Sequence, residues 1–85
     1  MKMSRAQYRF LAHVRDWHDG QLDGRCEAGL QTGLYAAAYD AVAGAVVRRG
    51  WLTHENTLTD AGRAKLEEVE ARNRPFPYDL AKLQQ

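Results

Sequence analysis

Eighty-five residues hold one folded domain and leave no room for a second. Hydrophobic residues make up 45% of the chain and charged residues 27%, with two prolines, a balance that excludes general disorder and permits a buried core. Twelve basic against 11 acidic residues give a formal charge of +1, so bulk charge attracts neither nucleic acid nor anionic lipid and any such binding needs a local patch. Ser4 and Gln7 have the spacing of a capping box, with Met3 and Tyr8 placed as a hydrophobic staple, so a first helix starts here. Phe10, Val14 and Trp17, with Leu11 beside them, then recur as an apolar stripe facing a core. Asp19-Gly20 ends this helix, glycine tolerating the left-handed conformation.

Gly20, Gly24, Gly29 and Gly33 interrupt the next stretch, while Leu22, Cys26 and Leu30 suggest a short second helix. From Thr32 or Leu34 to Arg49 helical spacing returns, with Tyr35, Tyr39, Val42 and Val46 on one side, Arg48 and Arg49 in the last turn and Gly50 as the stop. Trp51-Leu52-Thr53 and Thr57-Leu58-Thr59 read as two short strands around a His54-Glu55-Asn56 turn, Asn56 taking the left-handed conformation. A last helix runs from Thr59 or Asp60 to about Asn73, with Leu66 and Val69 inward and the pairs Glu68/Arg72 and Glu70/Arg74 outward. Arg74-Pro75-Phe76-Pro77-Tyr78 must be extended, which divides the chain into a domain over residues 1–73 and a C-terminal arm over residues 74–85.

The predicted class is mainly α with a small β-hairpin wing. The stretch Val46-Val47-Arg48-Arg49-Gly50-Trp51-Leu52, followed by Leu58-Thr59-Asp60-Ala61-Gly62-Arg63, resembles the corresponding passage of bacterial and phage winged helix-turn-helix proteins, including regulators of the multiple-antibiotic-resistance type. The likeness covers about twenty residues closely and about seventy in layout. In physical terms, Gly50 ends the third helix, Leu52 and Leu58 bury the wing's inner face, Thr59 caps the last helix and Gly62 permits a close approach. What the resemblance implies is a small cytoplasmic DNA-binding regulator of phage or prophage type, with the third helix in the major groove. Phosphate contacts would come from Lys2, Arg5, Arg9, Arg25, Arg48 and Arg49, and polar contacts from Gln31, Thr32, Tyr35 and His54. A dimer would supply the affinity.

A second reading starts from the residues alone. Arg5, Arg9 and His13 form one basic stripe suited to phosphate or to protein carboxylates. Opposite the expected core face, Ala37, Asp40, Ala41 and Gly44 present only small or acidic groups, which suit close packing better than base recognition. With Tyr35 or Tyr39 as anchor and Phe76 and Tyr78 in the arm, these residues would form a protein interface, either of a homodimer or of an inhibitor that occupies a host protein's surface; the alternative is that the first or last helix covers the small face and the arm docks on its own domain. Duplex DNA and a protein partner therefore both stay open.

Catalysis has little basis. His13, His18 and His54 are dispersed, Cys26 is the single cysteine, and no phosphate loop or paired-carboxylate motif occurs, so neither an enzyme nor a metal or other cofactor is expected. One cysteine excludes an internal disulfide and fits a reducing cytoplasm. The longest apolar stretch, residues 34–47, is broken by Asp40, and the chain start lacks a secretory apolar core, so no membrane span or leader is expected.

Overall fold

The computed structural model describes residues 2–31 and 38–72, which contain four helices in chain order: α1 (Arg5–His18), α2 (Gly24–Gln31), α3 (Tyr39–Arg48) and α4 (Asp60–Arg72). The first is the hub, and each of the other three packs against it. Its start is fixed locally, since the Ser4 hydroxyl accepts from the Gln7 amide at 3.1 Å while the Gln7 side chain accepts from the Ser4 amide at 2.8 Å. Its end is fixed at Asp19, in the left-handed conformation with φ 54°, followed by Gly20 at φ 84°. Between these ends Tyr8, Phe10, Leu11, Ala12 and Val14 are buried, a wide arc that serves three neighbours at once.

Trp17 does not belong to that arc. Expected in the core, it is 62% exposed. At about 100° per residue, buried Gln7, Tyr8, Leu11, Val14 and Ala12 lie to one side of Phe10, and Trp17 falls just beyond its other side, next to His13. The stripe through Phe10, Val14 and Trp17 therefore traces the margin of the buried surface, and the last turn of α1 carries the indole into solvent.

Asp23 caps α2, its Oδ1 accepting from the Cys26 amide at 2.9 Å, and Leu22, Cys26 and Leu30 turn inward as the sequence suggests. Among the described residues α3 begins at Tyr39, later than expected, and buries Tyr39, Val42 and Val46; Thr32, Tyr35 and Ala37 lie outside the described residues. Thr59 caps α4 through its hydroxyl, which accepts from the Gly62 amide at 2.9 Å and donates to the Gly50 carbonyl at 2.7 Å. Gly62 sits so close to the Trp51 carbonyl and Leu58 that an added Cβ would force backbone to move. Leu66 is fully buried and Val69 packs partly against the core.

The expected hairpin of two strands is not formed. Among the described residues there is no strand, only two isolated antiparallel bridges, Leu52 to Leu58 and Gln21 to Thr57. Two bonds cross between the segments, the Thr53 amide donating to the Thr57 carbonyl at 2.9 Å and the Thr59 amide to the Trp51 carbonyl at 3.0 Å, but the neighbouring helices claim the groups that would extend them: the Trp51 amide reaches back to the Val46 carbonyl, and the Thr59 carbonyl accepts from the Arg63 amide of α4. What remains is a tight turn, with the Asn56 amide donating to the Thr53 carbonyl at 2.9 Å and Asn56 at φ 67°. The segment after α1 joins it, the Leu22 amide donating to Asn56 and the Leu58 amide to Gly20, both at 2.7 Å. Leu52 and Leu58 are buried beneath.

Candidate functional site

The residues expected to meet an anionic partner are spread over the first three helices and the turn before α4. Lys2, Arg5, Arg25 and Gln31 are exposed, as are Arg48 and Arg49 at the end of α3 and His54 in the turn. The Arg49 guanidinium lies over the Trp51 ring, 5.5 Å from its centre. Arg48 folds back over Gly44, its terminal nitrogen 3.1 Å from where a Cβ would stand. The rest of the outward face of α3, Asp40 and Ala41, offers no donor to a base edge. Tyr39, offered with Tyr35 as an exposed anchor, is instead buried, and its pKa is pushed up to about 12 by that burial and by Glu27. Phe76 and Tyr78 lie outside the described residues.

The expected basic stripe on α1 is not continuous. Arg5 is exposed and Arg9 half-buried, but His13 turns towards α2. Farther along α1, Arg15 is neutralised: its guanidinium meets Glu70 of α4 through two bonds of 3.0 and 2.6 Å and Asp16 through two more. The buried Tyr8 hydroxyl donates to the same Glu70 carboxylate at 2.8 Å. Glu70, expected on the outside opposite Arg74, is thus the polar link between α1 and α4. The exposed Glu68 to Arg72 pair does form, at 2.7 Å. A cavity of about 300 Å³ near the chain start, lined by Lys2, Met3, Lys65, Val69 and Arg72, collects three cations, of which Lys65 and Arg72 already hold Glu68.

At the corner between α1 and α2 the structure assembles a group that the sequence reading kept apart. His13, His18 and Cys26 bring one donor atom each to within 4.8 Å of one another. The two imidazole centres are 5.2 Å apart, and Asp23 Oδ1 stands 3.8 Å from His18 Nδ1. His13 Nε2 is buried without a hydrogen-bond partner, against Gly29, whose missing side chain makes the space for it. Burial, and then the neighbouring His18, lower the His13 pKa; burial, with the Asp23 and Glu27 carboxylates, pushes the Cys26 thiol up to about 12. Directly outside, the Trp17 ring stacks beside His13 with centres 6.5 Å apart. The signal available in the sequence was the spacing His-x4-His-x7-Cys across a helix end, legible only once the chain is seen to reverse between Asp19 and Asp23.

No protein-family model, curated protein or solved structure matches this chain.

Proposed function

We propose that the protein is a small non-enzymatic module of winged-helix type that works by binding another protein. Support for the architecture comes from the helix order and from the turn at residues 53–57, which occupies the wing's place and is bridged to the segment after α1. The observation that carries the function is Trp17, 62% exposed on a chain that buries its other large apolar side chains among the described residues. A tryptophan left in water at the end of a rigid helix, flanked by polar Asp16 and His18, has the composition of an interface hot spot with its rim.

DNA binding remains the second reading, favoured by exposed Arg48 and Arg49 beside the turn. One experiment separates the two. The chain is used to capture proteins from nuclease-treated host lysate, and duplex affinity is measured in parallel across salt concentrations. The protein reading expects capture that survives nuclease and is lost in Trp17→Ala with the helical signal intact. Retention of the same partner by Trp17→Ala would overturn it. Duplex affinity falling steeply with salt, with a slope flattened by Arg48→Glu and Arg49→Glu, would establish the DNA reading instead.

A further inference from the structure

We propose that His13, His18 and Cys26 form a binding site for a zinc-class transition-metal ion at the α1–α2 corner, with Asp23 placed to complete it. The three donors already stand within 4.8 Å of one another, whereas a tetrahedral site with Zn–N near 2.0 Å and Zn–S near 2.3 Å holds its donors about 3.5 Å apart. Side-chain rotation covers that difference, because His18 sits on the last residue of α1 and Cys26 in the first turn of α2. Two features of the corner have no packing purpose. The His13 Nε2 lone pair or proton is buried with no hydrogen-bond partner, a cost of burial that coordination removes. Gly29 lies directly against this nitrogen, where an added Cβ would stand only 3.3 Å away, although glycine weakens an eight-residue helix.

The donor chemistry selects the ion. Two imidazoles and a thiolate suit Zn²⁺, Co²⁺ or Cu⁺ and do not suit Mg²⁺ or Ca²⁺, which take oxygen ligands. The Asp23 carboxylate, though it accepts from the Cys26 amide, has lone pairs left for the metal, and it lies 3.8 Å from His18. Binding deprotonates the Cys26 thiol, the proton leaving to solvent as the metal–sulfur bond forms. The ion ties the end of α1 to the start of α2 directly beneath Trp17. The inference does not depend on the protein-binding role.

The test is titration of the full chain with Co²⁺ under reducing conditions, followed by Zn²⁺. One equivalent of cobalt is expected to give a thiolate-to-cobalt charge-transfer band in the near ultraviolet and the visible bands of a four-coordinate ion, and one equivalent of zinc to bleach both. His13→Gln and His18→Gln should each weaken cobalt binding at least about tenfold, and His54→Gln should change nothing. Cys26→Ser should lose the charge-transfer band. Since Cys26 is fully buried, helical content is recorded for that variant, and His18→Gln, at a half-buried position, decides the matter if it fails to fold. A wild-type spectrum without the near-ultraviolet band, or bands unchanged in His13→Gln and His18→Gln, would overturn the site.

Discussion

The two seams that α1 makes with α4 and with α2 treat buried polar groups in opposite ways. Against α4, the Arg15 guanidinium, the Glu70 carboxylate and the Tyr8 hydroxyl satisfy one another through bonds of 2.6 to 3.0 Å. Against α2, His13 Nε2 is buried with no partner, beside a second imidazole and a fully buried thiol. A satisfied network explains itself as structure, because each member offsets the desolvation of the others. A buried imidazole nitrogen left without a partner among metal-binding donors does not, and its cost is what the proposed ion would remove.

The comparison predicts unequal responses to mutation. Glu70→Leu takes the acceptor from Tyr8 and half of the partners from Arg15 while both stay largely buried, so it should cost about 1–3 kcal/mol in denaturant unfolding. A change below a few tenths of a kcal/mol would show that Asp16 and water replace Glu70 fully, and the seam would lose its claim to be structural.

Tyr8→Phe removes one donor and leaves the Arg15–Glu70 pair, so the expected cost is smaller, about 0.5–1.5 kcal/mol at neutral pH. Its pH dependence is a sharper check. Burial and then the hydrogen bond to Glu70 raise the Tyr8 pKa above that of an ordinary tyrosine. The resulting stability is fully present below the unfolded value of about 10 and is lost as pH rises from there towards the folded value. Alkaline titration should therefore destabilise the wild type more steeply than Tyr8→Phe. Tyr39, pushed up to about 12, contributes a similar fall that the Tyr8 variant keeps. Parallel alkaline profiles for the two proteins would mean that Tyr8 ionises freely in the native state.

Local signals were legible in the sequence wherever one short segment contained all the partners. The Ser4–Gln7 capping box, the left-handed Asn56 and the Thr59 cap rest on neighbours a few residues away or on backbone conformation alone, and the close approach of Gly62 to Trp51 spans only the turn between α3 and α4. Trp17 was misplaced because helical spacing finds a face without finding its centre, and three helices packed around α1 shifted that centre away from it. Strand propensity in Trp51–Thr53 says nothing about helix ends competing for the same backbone groups, which is why the expected hairpin stops at isolated bridges. Glu70 has its partners 55 and 62 residues away, and the His13, His18 and Cys26 cluster depends on a chain reversal; neither distance enters a periodicity argument.

At the α2 seam the effects on stability should be small and of variable sign. Gly29→Ala gains helix propensity of about 1 kcal/mol but brings its Cβ to 3.3 Å from His13 Nε2, which must yield by a few tenths of an ångström. Alone, the substitution should therefore return less than that gain; in a His13→Ala background it should return nearly all of it. The two changes are expected to couple by about 0.5 kcal/mol or more in a double-mutant cycle. Strict additivity would mean that the imidazole does not rest on Gly29 in solution, and the argument for a deliberately opened corner would fail.

The smallest change in stability should come from His13→Leu, and it tests the contrast most directly. Leucine keeps most of the volume and removes a buried nitrogen that forms no hydrogen bond, so the metal-free protein should lose nothing, within about 0.5 kcal/mol, or gain. Glu70→Leu inserts the same residue at the other seam and should destabilise. In the presence of zinc the order of effects changes: the wild type is stabilised in proportion to the logarithm of zinc concentration over the dissociation constant, and His13→Leu is not. Wild type and His13→Leu should therefore have matching unfolding midpoints with chelator present and separate ones with zinc. A His13→Leu protein as damaged as Glu70→Leu without metal would mean that His13 has an essential packing role, and that both seams are structural in the same sense.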